Sequence, residues 1–173
     1  RFDLVLMLHA LTYAEQPAKA VAEASRLLRP GGRLLAVTLG KHDHRAVVEP
    51  FDHRNLGFAQ EELSGYARRA GLEDISCTRL SRERKAPHFE VISLLARKPD
   101  LSAVRYGVFA LGDRTHVGTF CDGGRHFDEA LSAAGAQRIG DVARHDASGG
   151  TLAEDAALEW FPQWLELTRQ RVA

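Results

Sequence analysis

Cysteine is scarce: Cys77 and Cys121 are the only two in 173 residues, far apart and without a CxxC spacing. That argues against a disulfide scaffold or a zinc site and fits a reduced, cytoplasmic protein. An excess of one charge is also missing, with 23 Lys and Arg against 23 Asp and Glu. Nucleic acids and acidic membrane surfaces select a basic excess, so neither is an expected partner. No apolar run approaches the roughly 20 residues of a membrane-spanning helix. The opening RFDLVLML is apolar but short and lacks a small-residue cleavage site, which reads as a strand and not as a signal peptide. Neither GxGxxG nor GxGxG occurs, so the usual glycine-rich turn that lets backbone amides approach a nucleotide is not recognisable. Arg1 stands directly before the pattern of a core strand, the expectation for a truncated or engineered boundary.

What is present alternates strands with helices. Residues 2–8 are a buried-strand pattern broken only by Asp3. Pro17 suits the first turn of a helix with Ala20, Val21, Ala24, Leu27 and Leu28 on one stripe. Arg29-Pro30-Gly31-Gly32 ends that helix, and 33–39 is the next strand. Residues 41–55 are polar and histidine-rich, a loop or irregular helix. Residues 60–70 form an amphipathic helix closed by Gly71. Residues 74–80 and 89–97 are an antiparallel strand pair around the charged stretch 81–87. The rhythm then restarts with strand 106–111, helix 123–134, strand 137–142 and helix 152–170. Strand–helix–strand units of this kind build open parallel sheets.

FDLVLMLHAL, then RLLRPGGRLLAVTL, HDH, LGFAQEELSGYARRAGL and AGLEDI carry a resemblance over residues 1–99. They resemble the later half of class I S-adenosylmethionine-dependent methyltransferases of the type found with metalloregulator repressors. The resemblance places Leu8, His9 and Ala10 at the cofactor crevice. His9 is read as a packing or hydrogen-bonding group at a strand end in preference to a general base, so no catalytic residue is expected. His42, His44 and His53 with Asp43 and Asp52 have the composition of a metal site, yet their spacing matches none. They are read as a solvated loop, with no metal.

YGVFALGDRTHVGTFCDGGRHFDEALSAAGAQRIGD, followed by HDASGGTLAEDAALEWFPQWL, carries a second resemblance over residues 101–173. This segment is similar to the later half of flavodoxin-type FMN-binding domains. The resemblance implies that Leu111, Gly112, Asp113, Arg114, Thr115, His116, Phe120 and Cys121 line one side of the isoalloxazine, with Asp146 nearby. Gly112 would let the backbone come close. His116 stands where the family usually has tyrosine, and imidazole offers less stacking area. Cys121 is read as a buried small residue, Ser148 or Thr151 as a helix cap, and Trp160, Phe161 and Trp164 as core.

The expected fold class is therefore α/β, a mainly parallel open sheet with helices on both faces, a Rossmann-like and flavodoxin-like hybrid with one antiparallel strand pair. The two halves, 1–99 and 101–173, could align their strands in one sheet. The leading expectation for function is a hybrid scaffold without intact catalysis. Alternatives are a flavodoxin-like FMN-binding electron-transfer module and the later part of an S-adenosylmethionine-dependent methyltransferase. FMN and S-adenosylmethionine are both expected to bind weakly. An unpaired sheet edge is expected to promote self-association.

Overall fold

The computed structural model describes residues 1–116 and 118–170. Two compact units follow one another, Arg1–Pro99 and Asp100–Ala173.

In the first unit, β1 (Phe2–Leu8) leads through the single turn α1 (Ala10–Tyr13) to α2 (Pro17–Leu27). β2 (Leu28–Leu39), the short α3 (Arg45–Val48) with a 3-10 turn at Glu49–Phe51, α4 (Gln60–Arg69), β3 (Glu73–Arg82) and β4 (Glu90–Arg97) complete it. The sheet order is β1-β2-β4-β3. β1 runs parallel to β2, and β4 runs antiparallel to both of its neighbours. Parallel and antiparallel strands thus share one sheet, and β2/β4 adds an antiparallel ladder beyond the β3/β4 pair read from sequence.

One face of this sheet is packed. Leu34, Ala36, Leu94 and Ala96 cluster with Val21 from α2, Leu28 from the start of β2 and Leu63 from α4, all buried. The helix α2 ends earlier than its apolar stripe suggested. Leu28 turns extended and is buried as the first residue of β2, while Leu27 is exposed. Lys98 is also buried here, and its Nζ donates to the carbonyls of Ser25 and Leu28, 3.1 Å each. A cation at these orphan carbonyls complements the negative end of α2. α4 closes as its sequence indicates: the amide of Leu72 donates to Ala67 and that of Gly71 to Arg68, the bonding of a glycine C-terminal cap.

The second unit contains β5 (Arg105–Tyr106), β6 (Phe109–Gly112), α5 (Asp122–Ala133), β7 (Gln137–Arg138), β8 (Ala143–Asp146), a 3-10 turn at Ala147–Gly149 and α6 (Ala153–Gln170). β5 pairs in parallel with β7, and β6 with β8. The strand expected over 106–111 is thus broken into two pieces, and of the strand expected over 137–142 only Gln137–Arg138 forms, the next strand beginning at Ala143. Amides of Ile139 and Ala143 still donate to Tyr106 and Val108 across the breaks. The cause is Trp164: its indole Nε1 donates to Ile139 O at 3.1 Å, and a Cβ on Gly107 would meet Nε1 at 2.2 Å. The chain opens at Gly107 to admit the indole. Phe161, expected in the core with Trp160 and Trp164, is half exposed instead.

The α/β class with open sheets is observed. Among the described residues the first unit has one four-stranded sheet, and the second has two parallel pairs, β5 with β7 and β6 with β8.

Candidate functional site

β6 and β8 run side by side, so Gly112 and Asp146 end together at the carboxyl edge of a parallel pair, the end at which open α/β sheets hold ligands. The loop after β6 is fixed by its own hydrogen bonds. Asp113 accepts from the amide of Thr115 at 2.8 Å and from its hydroxyl at 2.6 Å. The amide of His116 donates to Asp113 O, and that of Asp122 to Thr119 O. Val117 of this loop lies outside the described residues.

Asp146 ties this loop to the next. Its Oδ1 accepts from the amide of Arg114 at 3.2 Å, the amide of Ser148 at 3.1 Å and the hydroxyl of Ser148 at 2.7 Å. Its Oδ2 faces Arg114 Nε at 3.4 Å. The Arg114 guanidinium lies over the Phe120 ring, 5.1 Å from its centroid. Hydrogen bonds from Thr115 hold the Asp113 carboxyl below the usual carboxylate range. The Ser148 hydroxyl does the same for Asp146, helped by the amides of Arg114 and Ser148 and by the Arg114 charge. Both carboxylates are anionic at neutral pH because donors converge on the charged form.

Asp146, read from sequence as a loop residue, is the last residue of β8. Ser148, read as a cap for the final helix, donates to Asp146. The Ser148 bonds are a local Asx turn, whereas the arrival of Arg114 on the same carboxylate had no signal in the sequence, because it lies 32 positions away.

The room at Gly112 is taken by the protein itself: a Cβ there would meet Cys121 N at 2.5 Å and the Phe120 ring at 2.7 Å. Cys121 is buried, its thiol directed at the carbonyls of Ala110 and His145, and its backbone is left-handed with φ of 59°. What the end of β6 and its loop offer outward is Leu111, 59% exposed, together with the exposed imidazole of His116. An apolar side chain and a flat ring on a hydrogen-bonded loop suit the face or edge of a planar aromatic ring.

In the first unit, Leu8, His9 and Ala10 stand exposed at the carboxyl end of β1. His9 is left-handed, with φ of 52°, and its amide donates to Val37 O at 2.8 Å. The histidines of residues 41–55 are less solvated than their sequence suggested. His42 packs edge-on to Phe89, with centroids 4.6 Å apart, and stacks on His44 at 5.9 Å. His53 meets Tyr13 edge-on at 5.4 Å. Nε2 of His42 and Nδ1 of His53 are buried and accept or donate no hydrogen bond. Burial, and then the neighbouring His44 and His53, push the His42 pKa down. Among the described residues no group of three or more His, Cys, Asp or Glu is arranged to hold a metal ion, and no helix is long and apolar enough to cross a membrane.

Comparison with known proteins gives two matches along the chain. The methyltransferase-domain family matches residues 1–36. Phosphoethanolamine N-methyltransferase 2 of Haemonchus contortus is a structural neighbour at 13% identity and a TM-score of 0.47, covering 57% of this chain and 34% of that one. The flavodoxin family matches residues 51–160, beginning well before the segment that carries the resemblance in sequence. Flavodoxin YqcA of Escherichia coli K12 is 44% identical over 61 residues, 35% of this chain, and the chain spans only 40% of that relative's length. Protein MioC of Escherichia coli O157:H7 is 33% identical over 144 residues, covering 76% of this chain and 93% of MioC. By the extent of the flavodoxin match and the near-complete span of MioC, the chain belongs to the flavodoxin family.

Proposed function

We propose that this chain is a weak FMN-binding electron-transfer module, with the isoalloxazine held by the loop after β6 and by Asp146. The observation that supports this is the Asp146 carboxylate, which draws Arg114 and Ser148 together and so fixes both loops at the carboxyl ends of β6 and β8. Binding surfaces organised in advance lose less ordering entropy when a ligand arrives. Bound FMN would supply one- or two-electron transfer; the protein's part is to orient the ring and shield one side of it. Leu111 contributes apolar contact and His116 a flat imidazole, while Arg114 is held back over Phe120.

The test is titration with FMN followed by flavin fluorescence, with riboflavin and S-adenosylmethionine run alongside. A ring-directed site binds FMN and riboflavin with similar, weak affinity, and Asp146→Ala loosens both about tenfold, as expected for one lost set of charge-assisted hydrogen bonds. No saturable response to either flavin would overturn the reading and leave the hybrid scaffold. Binding of S-adenosylmethionine alone would favour the carboxyl end of β1 around Leu8, His9 and Ala10.

A further inference from the structure

We propose that two copies of this chain associate through β1, packing its outward face against the same face of the second copy. β1 is an edge strand, paired with β2 on one side. Its alternate residues Phe2, Leu4, Leu6 and Leu8 are 57, 49, 54 and 65% exposed, whereas Val5 and Met7 between them turn toward the core. The ladder register carries this apolar face inward across the sheet: Leu6 is level with Leu35, which is level with Leu95, itself 40% exposed. Leu8 is level with the half-buried Val37.

The patch is large and has a polar border. Taking ~200 Å² for a large apolar side chain, the exposed parts of Phe2, Leu4, Leu6, Leu8 and Leu95 amount to roughly 500 Å² per copy. That is at the upper end for the largest apolar patch of a monomer. Two such faces together hide about 1,000 Å², the lower bound of a specific interface. Sheets pack face to face at about 10 Å, with the inner side chains interdigitating.

A second copy is favoured as occupant because nothing electrostatic opposes it. The chain carries no formal net charge, and Asp3, the one charge within β1, is already paired with Arg29 of its own copy. Arg33, level with Leu4, stands at the border of the leucine rows and can lie along them while keeping its charge in water. An uncharged centre with a charged rim is the usual anatomy of such a contact, and a two-fold axis places each leucine row against its own copy.

Sedimentation velocity over a wide concentration series tests this on the full chain. The expected result is a reversible monomer–dimer equilibrium. Leu6→Lys removes two leucines per symmetric dimer and raises its dissociation constant about a hundredfold or more. Leu158→Lys, at an exposed site on α6, leaves the equilibrium unchanged, and circular dichroism of both variants verifies that they fold. A wild-type chain that stays monomeric throughout overturns the proposal and leaves the face to a different protein. Association that persists in Leu6→Lys overturns it equally.

Discussion

The two units spend their polar and apolar groups in opposite ways. The first has the larger core, four strands with two helices on one face, and yet leaves Phe2, Leu4, Leu6 and Leu8 in water and two imidazole nitrogens unbonded. The second has a small core around Tyr106, Val108 and Ala110, and yet its carboxylates Asp113, Asp128 and Asp146 are each engaged by several donors. Asp128 takes the Tyr106 hydroxyl at 2.8 Å and Arg138 at 2.5 Å. A large core can therefore coexist with unsatisfied surface, and a small one can be reinforced by directed hydrogen bonds. Stability in the first unit rests on burial, and order in the second rests on specific contacts.

The largest effect should come from cutting into the larger core. Leu94 is buried at the centre of the sheet, level with Ala36 of β2 and Cys77 of β3. Leu94→Ala is expected to destabilise the first unit by about 2–5 kcal/mol, the sum of lost burial and a residual cavity. Denaturant unfolding followed by far-ultraviolet circular dichroism measures it. A loss below 1 kcal/mol would mean that the first unit is loosely packed and that the contrast with the second is false.

A smaller effect is expected where the second unit depends on one fit. In Gly107→Ala the new methyl would stand 2.2 Å from Trp164 Nε1, so the indole must withdraw from Ile139 O. Overpacking and the lost hydrogen bond together should cost about 2–3 kcal/mol. Trp160 and Trp164 are the only tryptophans, so a red shift of emission reports the displacement directly. Unchanged emission would show that the strand break has another cause.

The sequence made the elements legible where one periodicity dominated. β1, α2, α4 and α5 appear close to their expected bounds, because apolar spacing and the Pro17 and Gly71 signals act within a few residues. It could not indicate the break at Gly107, which depends on an indole 57 positions away, nor the second antiparallel ladder, since β4 inserts between β2 and β3 through long-range pairing. At the candidate site, the residues of the loop after β6 were legible from their resemblance to a family. Their bonding was not. Asp146 draws in Arg114, and Gly112 makes room for Phe120 and Cys121, which are facts of tertiary contact.

The smallest effect concerns the unsatisfied side of the comparison, and it is a dependence on pH. His42 is pressed among Phe89, His44 and the nearby His53, and its folded pKa lies below the 6.5 of a free imidazole. Between that lowered value and 6.5 the unfolded chain binds the proton and the folded chain does not. Stability attached to the neutral imidazole is therefore complete above pH 6.5 and is lost as pH falls toward the folded pKa. The neighbouring Asp43 charge opposes the shift, so the loss is a modest one. In His42→Gln the mild-acid slope of unfolding free energy should flatten, whereas Asp146→Asn, in the unit whose carboxylates are already bonded, should leave that slope unchanged above pH 5. If His42→Gln keeps the full slope, the mild-acid dependence does not originate at His42 and this part of the comparison fails.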